Sequence, residues 1–100
     1  MKVCWATAAV QDRADIIDYV SHESPLAAIR LDELFAEAAS RLADYPYLGK
    51  AGQITGTREL IPHESYRLVY EVQGEAVWIL ALEHTARRWR ILAYLDRKGL

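Results

Sequence analysis

Tyr66-Arg67-Leu68-Val69-Tyr70-Glu71-Val72-Gln73-Gly74-Glu75-Ala76-Val77-Trp78-Ile79-Leu80-Ala81-Leu82-Glu83 is the stretch whose reading decides the fold. Its first part alternates, with Tyr66, Leu68, Tyr70 and Val72 on one face and Arg67, Val69 and Glu71 on the other. A period of two is the mark of a strand with one buried face. Gln73-Gly74 then signals a tight turn. Residues 76–83 form the most apolar run of the chain, which predicts a central strand.

Upstream, Gly56-Thr57-Arg58-Glu59-Leu60-Ile61 reads as the start of a further strand, after a loop holding Gly49, Gly52 and Gly56. The segment Tyr45-Pro46-Tyr47-Leu48-Gly49 ends the helix before it, since proline cannot continue a helix. That helix is expected from the Ser24-Pro25 restart, with serine at the cap and proline in the first turn, to about Ala43. Its apolar stripe is Leu31, Leu34, Phe35, Ala38 and Leu42. An earlier helix, capped by Thr7, is expected from Ala9 to about Val20, with Val10, Ala14, Ile17 and Val20 inward and Asp12, Arg13, Asp15 and Asp18 on its other faces. The short turn between the two makes an antiparallel hairpin. Lys2–Ala6 reads as a short strand. Thr85 is expected to cap a last helix from Ala86 to about Arg97, with Trp89, Leu92 and Leu95 inward. The order β-α-α-β-β-β-α gives an α+β class, a helical hairpin packed on a small antiparallel sheet. No repeat, low-complexity segment or linker divides the chain, so residues 1–100 are expected to be one domain.

At 100 residues and 52% hydrophobic, the chain can bury a core without disulfides or a metal. Its lone cysteine, Cys4, lies in an apolar run and is expected to be a buried, inert thiol. With no cysteine pair and no signal segment, a cytoplasmic setting is expected, and no apolar stretch approaches a membrane span. Residues 1–48 hold four basic and eight acidic residues, net −4, and residues 49–100 hold eight and six, net +2. Such asymmetry suits an anionic partner for the basic half or plain surface solvation.

Three groups of residues bear chemistry. Arg58, Arg67, Arg87 and Arg88 stand on strands or at their ends, where a guanidinium must reach water, a carboxylate or a phosphate. Brought into one cleft they would clamp a phosphate; their bland role is pairing with Glu59, Glu71 or the acidic helices. His84, at the end of the apolar strand, is a candidate acid or base, or a structural strand-end histidine. His22 and His63 are expected to be solvated in turns. The aromatics, Tyr66 and Trp89 among them, are candidates for stacking but mostly for the core. The histidines lack metal-ligand spacing, and the chain has no phosphate-binding glycine loop, nucleophile elbow or dinucleotide fingerprint, so no metal and no cofactor is expected.

The runs Gly56-Thr57-Arg58-Glu59-Leu60, Tyr66-Arg67-Leu68-Val69-Tyr70 and Val77-Trp78-Ile79-Leu80-Ala81-Leu82-Glu83-His84-Thr85-Ala86-Arg87-Arg88-Trp89, together with the acidic hairpin and the Tyr-Pro-Tyr-Leu-Gly segment, resemble the RelE/ParE superfamily of bacterial toxins over roughly residues 1–92. The resemblance implies the toxin of a type II toxin–antitoxin pair of the plasmid-stabilisation type, neutralised by a cognate antitoxin that wraps its surface. It offers two activities. RelE-like members are ribosome-dependent endoribonucleases acting on mRNA, for which Arg58, Arg67, Arg87 and, as a substitute acid or base, His84 would serve as catalytic residues. Against that pattern, Leu60 stands where a second basic group is expected, and Ala93 stands where a tyrosine is, with Tyr94 next to it. ParE-like members inhibit DNA gyrase without that set, and the long hairpin, with helices of about 12 and 18 residues, resembles theirs. Arg88, Trp89 and Tyr66 are then binding candidates. The ParE-like branch is favoured, with the endoribonuclease as the alternative and a degenerate antitoxin-binding protein as the third.

Overall fold

A computed structural model describes residues 1–85. The elements run β1 (Lys2–Trp5), α1 (Thr7–Glu23), α2 (Pro25–Asp44), β2 (Lys50–Ala51), β3 (Arg58–His63), β4 (Tyr66–Gln73) and β5 (Ala76–His84). The expected last helix, with Trp89, Leu92 and Leu95, lies outside the described residues.

The five strands form one mixed sheet in the order β1-β5-β4-β3-β2. The neighbours from β5 to β2 are antiparallel, but β1 joins β5 in parallel, with Lys2 opposite Ala76 and Trp5 opposite Ile79. The sheet is therefore not wholly antiparallel: the hairpin carries the chain away from β1 and back across the sheet. β5 lies between β1 and β4, the central place its apolar run calls for. Gly74 and Glu75 make the β4–β5 turn, and Gly74 takes φ +59°, which a two-residue turn with glycine first requires.

The alternation of β4 holds. Leu68 and Tyr70 join Leu31, Phe35, Ala38, Leu42, Val77, Ile79 and Leu82 in the core beneath the helices. Val69 packs with Ala81 and Ile54 on the far face. In β5 the phase changes midway. Val69 pairs with Ala81 and Tyr70 with Ile79, so Leu80 is an extra residue, a β-bulge. The bulge lets Ile79 and Leu82, three apart, both face the helices.

Ser24 caps α2 as expected, its Oγ accepting the Ala27 N–H at 3.1 Å, with Pro25 beginning the helix. The stripe is Ala28, Leu31, Phe35, Ala38, Ala39 and Leu42, whereas Leu34 sits at its margin and is exposed. Helix α1 departs further from expectation. It begins at Thr7, with Ala6 in the cap position and no side-chain cap bond. Val10 and Ala14 face solvent, while Ala9, Asp12, Ile16, Ile17 and Val20 turn inward. The reason is Asp12. Strand β1 ends opposite Ile79, so β5 beyond that point lacks a strand on one side. Asp12 Oδ2 accepts the Leu82 N–H there at 3.1 Å and is itself 7% exposed. The carboxylate thus takes the place of a strand and sets the rotation of α1. Arg13 bridges to Asp32 at 2.7 Å, tying α1 to α2, and its guanidinium lies 5.0 Å from the Trp5 ring. Cys4 pairs in register with Trp78 on the far face of an edge strand, so it is half-buried and not enclosed as expected.

Replacing Asp12 by alanine strands a buried N–H, which costs about 1–3 kcal/mol. Urea unfolding of Asp12→Ala is expected to show a loss in that range, while Asp15→Ala, exposed one turn away, stays within about 0.5 kcal/mol of the parent.

Candidate functional site

The β3–β4 register decides how the arginines lie. Arg58 is opposite Tyr70, and Arg67 is three residues from Tyr70 on the same strand. An odd separation puts Arg58 on the helix side of the sheet and Arg67 on the far side. These two arginines do not share a cleft. Arg87, Arg88 and Trp89 lie outside the described residues.

Arg58 is committed to the loop after α2. Its Nη1 donates to the Gly49 carbonyl at 2.6 Å and to that of Tyr47 at 3.2 Å, and its guanidinium stacks 5.1 Å from the Tyr47 ring centre. The Gly49 N–H donates to the hydroxyl of fully buried Tyr70 at 2.8 Å. A Cβ at position 49 would stand 2.7 Å from the Glu59 carbonyl and 2.9 Å from the Tyr70 ring, so the contact requires glycine. Burial raises the Tyr70 pKa above the usual 10.0, while the Gly49 bond and Arg58 pull it down. The phenol stays protonated at neutral pH and serves as a structural acceptor.

Arg67 is 3% exposed and lies between two buried carboxylates, Glu59 and Glu83. Its Nε is 3.6 Å from Glu59 Oε1, Glu83 is its cross-strand partner, and its Nη2 donates to the Thr85 carbonyl at 2.8 Å. This is the ion-pairing role that competes with phosphate binding. Glu59 is one of the partners the sequence offers the arginines, whereas Glu83 escaped the sequence reading. Glu83 reaches the far face only through the bulge at Leu80, which the uniformly apolar run before it does not signal.

His84, Tyr66 and His63 form a row across three strands, with Tyr66 opposite both histidines. The His84 and His63 rings lie 5.5 and 5.9 Å from the Tyr66 ring, and Phe35 meets Tyr66 edge-on at 5.8 Å. His63 ends β3 half-buried and is not a solvated turn residue. Its Nδ1 accepts the Ser65 N–H at 3.0 Å, which puts the proton of the neutral ring on Nε2. His22 is exposed, as expected. Burial, then the nearby Tyr19, raises the Tyr66 pKa above 10.0. Tyr45 and Tyr47, in contrast to the core role expected of most aromatics, are exposed. Among the described residues, no three His, Cys, Asp or Glu side chains gather for a metal, and no helix is long and apolar enough to cross a membrane.

The family model for the ParE toxin of type II toxin–antitoxin systems (parDE) matches residues 3–89. The chain belongs to the ParE toxin family. It is 37% identical over 86 residues to toxin RelE2 of Caulobacter vibrioides, covering 86% of this chain and 97% of that one. It is 30% identical over 89 residues to putative toxin Y4kP of Sinorhizobium fredii, covering 88% and 92%. Its fold matches that of the chromosomal ParDE toxin–antitoxin system from P. aeruginosa, with TM-score 0.73, 23% identity and coverage of 84% and 95%. It also matches the YoeB/ParE toxin from Agrobacterium tumefaciens, with TM-score 0.59, 16% identity and coverage of 84% and 98%. The hairpin on a five-stranded sheet is thus the fold of these toxins, and the protein is a type II toxin of this family. Within that frame Arg58 and Arg67 each have a structural occupation.

Breaking a buried ion pair from one side typically costs about 3–5 kcal/mol, so Arg67→Ala is expected to lose that much stability in denaturant titration. For Tyr70 and Tyr66, raised folded pKa values give stability that is complete below 10.0 and lost as pH rises through the folded values. Thermal melts above pH 10 are expected to fall with pH, and Tyr70→Phe to fall less steeply from a starting stability about 1 kcal/mol lower.

Proposed function

We propose that this toxin arrests growth by ParE-like inhibition of DNA gyrase, acting in the cytoplasm without enzymatic turnover, and that a cognate antitoxin neutralises it. The observation that carries the reading is the commitment of Arg58 and Arg67. A nuclease needs basic groups converging on one phosphate. Here the two lie on opposite faces of the sheet, one holding a loop and the other buried with carboxylates. Leu60, opposite Leu68 and packed against the core, adds no charge to either face. The match to the ParE toxin family model over residues 3–89 supports the same branch. Tyr66, Arg88 and Trp89 remain the binding candidates on this reading.

The RelE-like endoribonuclease is the second reading, and one observation favours it. His84 is exposed beside Tyr66, at the end of β5 just before Arg87 in sequence, an arrangement with an acid–base group at its disposal. The two readings part at His84, which is exposed at the end of β5.

Purified protein is expected to inhibit gyrase supercoiling and trap gyrase–DNA cleavage complexes at micromolar concentration, with His84→Ala equally active. Intact supercoiling activity, together with codon-phased mRNA cuts in a translating extract that vanish in His84→Ala, would replace the first reading by the second.

A further inference from the structure

Two parts of the described chain gather exposed apolar side chains. One is the helical hairpin, with Tyr19, Leu26 and Ile29. The other is the turn after α2, where Tyr45, Tyr47 and Leu48 are 66%, 61% and 47% exposed. None of these three belongs to either core cluster, so packing does not account for them.

The turn is nevertheless held firmly. Pro46 fixes its own φ and restricts Tyr45 before it. The Tyr45 N–H donates to the Arg41 carbonyl at 2.8 Å, and the Leu48 N–H donates to the Tyr45 carbonyl at 3.1 Å. From the core side, Arg58 holds the Tyr47 and Gly49 carbonyls and Tyr70 holds the Gly49 N–H. The Arg58 guanidinium also backs the Tyr47 ring at 5.1 Å. An anchored backbone that presents two phenols and a leucine to water has little conformational entropy left to lose on binding.

Charge separates the turn from the hairpin. Residues 41–58 carry three basic residues (Arg41, Lys50, Arg58) against Asp44 alone, net +2. Residues 1–40, with three basic and seven acidic residues, and 59–85, with one and five, are each −4. The exposed hairpin residues thus lie in an acidic flank, whereas the turn stands between two exposed cations, Arg41 and Lys50. An apolar knob with a cationic rim complements an acidic protein surface that has an apolar notch. DNA fits it less well, since both flanks repel phosphate and only those two cations are exposed there.

We propose that the turn at residues 45–48 is the surface with which the toxin docks on gyrase. Tyr47 and Leu48 enter an apolar notch on an acidic face of the enzyme, and Arg41 and Lys50 meet its carboxylates. The inference rests on the gyrase reading above and names where, and by what chemistry, that target is met.

The test uses the whole toxin and the gyrase holoenzyme with plasmid DNA. Tyr47→Ala and Lys50→Glu are expected to weaken gyrase binding, and to raise the dose for half-inhibition of supercoiling, by about tenfold or more, while Lys50→Arg and the hairpin variant Leu26→Asp match wild type. Hydroxyl-radical footprinting of wild-type toxin gives a readout that does not depend on how any variant folds. Gyrase is expected to protect Tyr45 and Tyr47 and to leave Tyr19, 71% exposed on α1, as reactive as in free toxin. Wild type that binds and inhibits gyrase with Tyr45 and Tyr47 as reactive as when free would overturn the proposal and leave the gyrase reading intact. Wild type that binds no gyrase would remove both. Protection of the two tyrosines by plasmid alone would assign the turn to DNA and overturn the proposal as well.

Discussion

The slip of the β4–β5 ladder at Leu80 is the constraint on which the rest of the structure depends. Side chains alternate along a strand, so a regular β5 would send Ile79 and Leu82 to opposite faces. With one extra residue in the strand, both meet the helices, and Ala81 and Glu83 face the other way. That choice seats Leu82 in the main core. It also brings the Leu82 N–H, beyond the end of β1, to the Asp12 carboxylate, which fixes the rotation of α1. On the far face it sets Glu83 opposite Arg67, completing the charged group with Glu59.

A second anchor works through Tyr70. It belongs to the helix-side core, yet its hydroxyl reaches the loop after α2 and holds Gly49. Arg58, its neighbour across the ladder, takes the carbonyls of the same loop. Core and loop are therefore coupled: the packing that buries the phenol also fixes the outward tyrosines. Of the two arginines on described strands, Arg58 holds the loop and Arg67 is enclosed on the far face.

The polar groups also divide by where water can reach. The hairpin's outer surface keeps most of its acids solvated, with Asp12 as the exception that answers a backbone donor. The far face encloses Arg67 with two carboxylates, so removing one partner leaves a buried charge uncompensated. The end of the sheet gathers two imidazoles about a phenol, leaving His84 accessible.

Sequence alone determined the β4 alternation, the Ser24-Pro25 restart, the apolar central strand and the family resemblance. The first three are local patterns, set by spacing and residue type in or at the start of one element, and the resemblance is a set of such runs in order along the chain. Five matters were decided only by the tertiary structure: the rotation of α1, the parallel seat of β1, the opposite faces of Arg58 and Arg67, the burial of Asp12, and the row His63-Tyr66-His84. The physical reason is shared. The run Val77-Trp78-Ile79-Leu80-Ala81-Leu82 is apolar at every position, so its period carries no phase, and a bulge within it leaves no mark in the sequence. Which arginine meets which partner depends on strand register, and register is a property of two strands together. The helix α1, with small and polar residues on several faces, gave way to one buried carboxylate whose partner lies 70 residues further along the chain.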